Sequence, residues 1–197
     1  MKVLHPTEMR QLVAAVDMTD PFGPRDRALL VFAFHTGLRV SELVGLNVCN
    51  VAVNGVPRQA LHVPSSLGKG GRERTIPLNE TARAAVAAIL ALNRRRGLSV
   101  APDAPLLQTK KHERMNVRAV QRMVEALRNK AQLDVPATPH TLRHSFASHV
   151  LSCNANMRVL QQLLGHLRLA TVEIYSHPTR EDLRQAVARA AETGGIQ

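Results

Sequence analysis

The chain has 197 residues, with 26 Lys and Arg against 15 Asp and Glu, a formal charge of +11 and a pI of about 11.1. At 45% hydrophobic and 21% charged residues it has enough apolar side chains to bury a core, which excludes wholesale disorder. No apolar run approaches the roughly 18 residues of a membrane span, and residues 1–11 lack the apolar centre of a signal peptide. The expectation is therefore a soluble, cytoplasmic protein with no membrane partner.

Cys49 and Cys153 stand far apart with no C-x-x-C spacing, which fits neither a disulfide scaffold nor a thiolate zinc site; both are expected as small core residues. The charge excess points to a polyanion, because Lys and Arg that neutralise phosphates release condensed counterions. A positive surface that merely aids solubility is the plainer alternative. With no Trp, one Tyr and four Phe, the chain has too few aromatic faces to stack single-stranded bases, so double-stranded DNA held through its backbone fits best.

Helical signals open the chain. Thr7 is the expected cap of a first helix carrying Met9, Leu12, Val13 and Val16. A second helix is predicted from Pro24 through Phe34 to a stop at Gly37, with one or two more turns over 41–46. The segments 47–53, 59–63 and 73–78, separated by turns at 54–57 and 68–71, predict a small three-stranded antiparallel sheet. Helices resume behind Asn79, Asn116 and Pro139, then over 156–164 to Gly165, 170–175 and 179–192. The fold class read from this order is α+β and mainly α, one domain over residues 1–197, with no internal repeat and a frayed Gly-rich tail.

Several chemistry-bearing side chains fall where elements begin or end. Arg39 follows Gly37 at a helix boundary, with Glu42 three residues on. His140 and Arg143 share a helix face, His166 follows Gly165, Lys69 sits on a Gly-rich turn, and Tyr175 is the only tyrosine. Taken singly, each is more often a solvated charge or a satisfied core residue. His140 and His144 at i,i+4 could bind a metal, but the stretch is His-Thr-Leu-Arg-His, without the Glu of H-E-x-x-H and with a repelling Arg between them.

Together these blocks are specific. Phe34-His35-Thr36-Gly37-Leu38-Arg39-Val40-Ser41-Glu42-Leu43, Gly68-Lys69-Gly70-Gly71-Arg72-Glu73-Arg74, Pro139-His140-Thr141-Leu142-Arg143-His144, Leu163-Leu164-Gly165-His166 and Ile174-Tyr175-Ser176-His177 occur in this order. The chain resembles the catalytic domain of the tyrosine recombinases of the phage-integrase family, in the style of the Xer enzymes, from about residue 4 to residue 185.

The resemblance implies site-specific DNA recombination, with Tyr175 attacking a phosphodiester to form a 3′-phosphotyrosyl bond and free a 5′-hydroxyl. It implies that Arg39 and Arg143 clamp the phosphate, where planar guanidinium forks suit the growing transition-state charge. Lys69 would protonate the leaving oxygen, His140 would serve in acid–base transfer, His166 would hydrogen-bond the phosphate, and Glu42 would orient Arg39 from behind. No metal and no cofactor are called for, since the cations supply the charge and the phosphotyrosine conserves the bond energy.

His144 and His149 are read as structural, and His177 as at most a DNA contact. Further candidate DNA contacts are Arg72, the cluster Arg94, Arg95 and Arg96, and Lys110 with Lys111, although cations also favour a helix C-terminus such as the one at 94–96. Relatives in the family carry a helical DNA-binding domain before this one, so the chain is expected to be the catalytic part alone, with weak, unselective DNA binding. The full-length protein is expected to form a tetramer on DNA through the segment after Tyr175, whose Leu183, Val187 and Ala190 stripe would dock on a neighbour or fold back on its own domain. The other readings are a type IB topoisomerase, a non-catalytic DNA-binding module, and a metal-dependent nuclease, which would need a carboxylate cluster not evident here.

Overall fold

The computed structural model describes residues 3–68, 73–153, 156–165 and 180–194. Helix α1 (Pro6–Ala14) begins on His5, whose amide donates to the Glu8 Oε2 at 2.7 Å, so the predicted cap Thr7 lies inside the first turn. Helix α2 (Gly23–Thr36) is buried almost all round, from Ala28 to Thr36, and packs against α5 (Glu80–Arg95) and α7 (Pro139–Ser152) as the central rod of the core. It stops at Gly37, φ +60°, where a Cβ would stand 2.2 Å from the Phe146 ring. Glycine is required there twice, by the left-handed backbone and by the close approach of α7.

Short elements follow: α3 (Val40–Gly45), α4 (Val48–Val51), β1 (Ala52–Val53), β2 (Val56–Pro57), β3 (Ala60–Val63) and β4 (Arg74–Pro77). The strands pair as two separate antiparallel hairpins, β1 with β2 and β3 with β4, instead of one three-stranded sheet. The difference arises at 47–51, where Asn50 Oδ1 accepts the Asn47 amide at 2.8 Å and winds the chain into a helical turn. That turn directs Val48 and Val51 inward and leaves Cys49 exposed, while Cys153 at the end of α7 is half-buried, so neither cysteine is the core residue expected.

Asn79, Asn116, Thr138 and Asn156 each accept a backbone amide at the starts of α5, α6 (Val117–Lys130), α7 and α8 (Met157–Leu164). Polar side chains thus satisfy orphan donors and fix where each helix begins. The last described helix, α9 (Arg180–Gly194), buries Ala186, Val187 and Ala190 against α7, α8 and β4 of the same chain. Asn79 Nδ2 donates to the Val187 carbonyl, and His149 meets the Ala190 carbonyl. The stripe that could have docked on a neighbour is here folded onto its own domain, and His149 has the structural role expected of it. The architecture is mainly helical with small antiparallel sheets, and among the described residues no helix is long and apolar enough to cross a membrane.

Candidate active site

Three segment ends meet around one carboxylate. Glu42, in the first turn of α3, is fully buried. Its Oε2 accepts the Arg39 amide at 2.7 Å, closing the N-terminus of α3, and its Oε1 lies 3.2 Å from Arg39 Nη1. Arg74, the first residue of β4, grips the same carboxylate with both Nη atoms, at 2.8 Å to Oε1 and 2.7 Å to Oε2. Arg143 from α7 stands 3.8 Å from Oε2. Its own guanidinium donates to the Gly37 carbonyl at 2.8 Å and the Leu164 carbonyl at 2.7 Å, joining the ends of α2 and α8.

Among the described residues three guanidiniums face one carboxylate, leaving two formal positive charges unbalanced in a largely buried cluster. The side chains of Arg74 and Arg143 are only 8% and 5% exposed, whereas that of Arg39 is 25% exposed. Uncompensated buried charge is costly, and a second anion removes that cost. Burial pushes the Glu42 carboxyl up, but the Arg74 hydrogen bonds, the Arg39 amide and the charges of Arg74 and Arg143 outweigh it and hold it below the usual carboxylate range. Burial, then repulsion from Arg39 and Arg74 against the attraction of Glu42, pushes Arg143 down to about 10, which keeps it charged at neutral pH.

His140 is exposed in the first turn of α7, beside the amide dipoles that favour an anion at a helix N-terminus. Its Nε2 lies 2.7 Å from the Nε2 of His144, so one ring donates to the other. Burial, then the neighbouring His140 and Arg143 charges, pushes His144 below its ordinary value, which favours its neutral form as the partner of His140. Read from sequence only as structural, His144 is therefore also in direct contact with the candidate acid–base residue.

The structure thus brings Arg39, Glu42 and Arg143 together and places His140 on the same helix as Arg143. Lys69, Arg72, His166, Tyr175, His177 and the helix predicted over 170–175 lie outside the described residues. The candidate DNA contacts Arg94, Arg95, Arg96, Lys110 and Lys111 are all exposed. Two of these clusters converge, since Arg96 and Lys110 lie 4.7 and 5.9 Å from the Phe22 ring centre. Arg94 packs on the turn at Gly55, where a Cβ would collide with its Nη2. The residue that sequence reasoning missed is Arg74. Its signal was its place in a strand directly after the Gly-rich turn, which fixes the face it presents.

Comparison with known proteins shows the family of the chain. The model of the phage integrase family matches residues 2–182, and the chain belongs to that family. It is 37% identical over 194 residues to tyrosine recombinase XerC of Pelotomaculum thermopropionicum, covering 96% of this chain and 61% of the relative. It is also 37% identical over 188 residues to tyrosine recombinase XerD of Pseudomonas aeruginosa, covering 95% and 61%. The crystal structure of XerA recombinase superposes with a TM-score of 0.70 at 30% identity, over 94% of this chain and 64% of that one. XerH site-specific recombinase bound to its difH substrate shares the fold, with a TM-score of 0.69 at 20% identity over 96% and 50%. The chain therefore spans about three fifths of the length of the curated relatives it matches.

Proposed function

We propose that this chain cleaves and rejoins duplex DNA through a tyrosyl ester, as the catalytic part of a site-specific recombinase. The observation that carries the reading is the buried cluster of Arg39, Arg74 and Arg143 around Glu42, whose excess positive charge suits a phosphodiester. Arg39 and Arg143 bind the non-bridging oxygens, whose charge grows as phosphorus becomes pentacoordinate; each such contact is worth about 10²–10³ in rate. Tyr175 attacks phosphorus, its phenolic proton passing to His140, and a bond forms from the tyrosyl oxygen to the 3′ phosphate. The bond from phosphorus to the 5′ oxygen breaks, and Lys69 supplies the proton that oxygen takes up. Rejoining runs the same steps backwards, so no nucleotide cofactor enters.

His166 completes the phosphate contacts, and Arg72, Arg94–Arg96, Lys110 and Lys111 supply salt-sensitive backbone contacts along the duplex. In the whole protein the reading extends to a tetramer on DNA in the cytoplasm.

The product end tests the chemistry. After reaction with a pool of nicked duplexes, the freed strand should begin with a 5′-hydroxyl that polynucleotide kinase labels without prior phosphatase. A freed strand labelled only after phosphatase carries a 5′-phosphate, the mark of hydrolysis by a nuclease, and contradicts the proposal.

A further inference from the structure

Arg74 spends its inner edge on the protein. Its Nη1 and Nη2 span both oxygens of Glu42, and its Nε donates to the Leu163 carbonyl at 2.9 Å. At Gly165, φ +64°, a Cβ would stand 3.1 Å from Arg74 Cδ and 3.2 Å from its Nη1, so the turn after α8 rests on this side chain. The backbone of Arg74 is fixed by its strand register opposite Val63. One guanidinium therefore ties together β4, α3 and the end of α8. In sequence, Arg74 is five residues after Lys69, and Leu163 is three residues before His166.

Donor accounting separates the three arginines. Arg143 reaches two carbonyls and only approaches Glu42, at 3.8 Å. Arg39 binds Glu42 through its amide and one Nη atom and is the most exposed of the three. Arg74 alone holds the carboxylate in a bidentate fork, the geometry that fixes orientation as well as charge. We propose that Arg74 is a positioning residue of the phosphate clamp: by fixing the Glu42 carboxylate and the Leu163 carbonyl in one register, it sets where Arg39 and Arg143 present their N–H groups. This inference rests on the clamp reading given above. It assigns Arg74 no contact with the phosphate: three of its five N–H donors are held by Glu42 and the Leu163 carbonyl.

Lysine is the informative replacement, since an ammonium keeps the charge but cannot span two carboxylate oxygens and a carbonyl at once. The test follows the Arg39 and Arg143 side-chain Nε–Hε groups by ¹⁵N NMR in the free 197-residue chain, with inorganic phosphate as the probe. In Arg74→Lys both signals should leave their native positions before phosphate is added, and phosphate affinity should fall about tenfold. In strand cleavage, the rate at saturating DNA should fall about 10²-fold, the scale of an ångström's misplacement, while the half-saturating DNA concentration stays within twofold. A folded Arg74→Lys chain with native Arg39 and Arg143 signals and native phosphate affinity would overturn the proposal and leave Arg74 a tether of the hairpin.

Should the lysine chain not fold, the pair Arg74→Gln with Glu42→Gln removes both charges together, which spares the fold more than removing one. Phosphate affinity in that double variant equal to that of Glu42→Gln alone overturns the proposal equally, and a further tenfold loss beyond Glu42→Gln alone supports it. The NMR arm contains no DNA. A chain that cleaves no duplex therefore contradicts the proposed function alone, and unmoved guanidinium signals contradict the role of Arg74 alone.

Discussion

Glu42→Gln is expected to lower the unfolding free energy by about 3–5 kcal/mol, the usual cost of removing one partner from a buried ion pair. For a chain of this size, each 1 kcal/mol moves the midpoint by about 2–4 °C, so thermal unfolding followed by circular dichroism should drop by roughly 10 °C. The native carboxylate accepts four hydrogen bonds, from the Arg39 amide, Arg39 Nη1 and both Nη atoms of Arg74. A glutamine amide offers one acceptor oxygen and turns an NH₂ group towards donors, leaving the guanidiniums uncompensated.

The pH dependence follows from the same contacts. Glu42 titrates below its ordinary value of 4.5 in the folded chain, so the unfolded chain binds the proton first as acid is added. Its stabilisation is present in full above the ordinary value and is lost as pH falls through the folded one. Glu42→Gln should flatten that acid limb as well as lower the midpoint. A variant with native midpoint and native acid limb would show that the carboxylate does not hold the cluster together.

The second large effect is expected at Arg143. Arg143→Lys removes the planar fork that now reaches the Gly37 and Leu164 carbonyls together, and with it one of the two phosphate clamps proposed for this site. The rate of strand cleavage should fall about 10²–10³-fold. DNA affinity should fall less than tenfold, because many phosphate contacts share it. The separation is measured by single-turnover cleavage at saturating DNA alongside direct binding. Equal losses in both would mean that Arg143 grips the ground state and the transition state alike, which contradicts its role in charge stabilisation.

Most of this architecture could be read from residue chemistry before any coordinates. Asn79 and Asn116 cap helices where their side chains predict, and Gly37 and Gly165 end helices in the left-handed conformation that only glycine adopts freely. Arg39, Glu42 and Arg143 were legible as a set through the resemblance to the phage-integrase family, since helix boundaries and spacing alone left each as a solvated charge. Within the stretch 47–53 only 52–53 is strand; 47–51 was misread because short Val-bearing runs carry no decisive period, and an asparagine-driven turn won locally. Cys49 followed it outward. Arg74 was hidden for a different reason. In Arg72-Glu73-Arg74 it reads as one of several surface charges, and only the pairing of Val63 with Arg74 turns it to the carboxylate of Glu42. The contact between His140 and His144 was visible as an i,i+4 spacing, but spacing alone could not say that the rings meet each other instead of a metal.

In the proposed reaction a tyrosine, with arginines instead of a metal, carries the strand transfer. The most direct measurement incubates the chain in EDTA with nicked duplexes from which the short strand beyond the cut diffuses away. A denaturing gel then compares the native chain with Tyr175→Phe. The expected result is a protein–DNA adduct that persists in EDTA and vanishes in the phenylalanine variant. An adduct of equal yield in both chains would place the nucleophile elsewhere, and an adduct that forms only when a divalent metal is restored would contradict arginine-based catalysis.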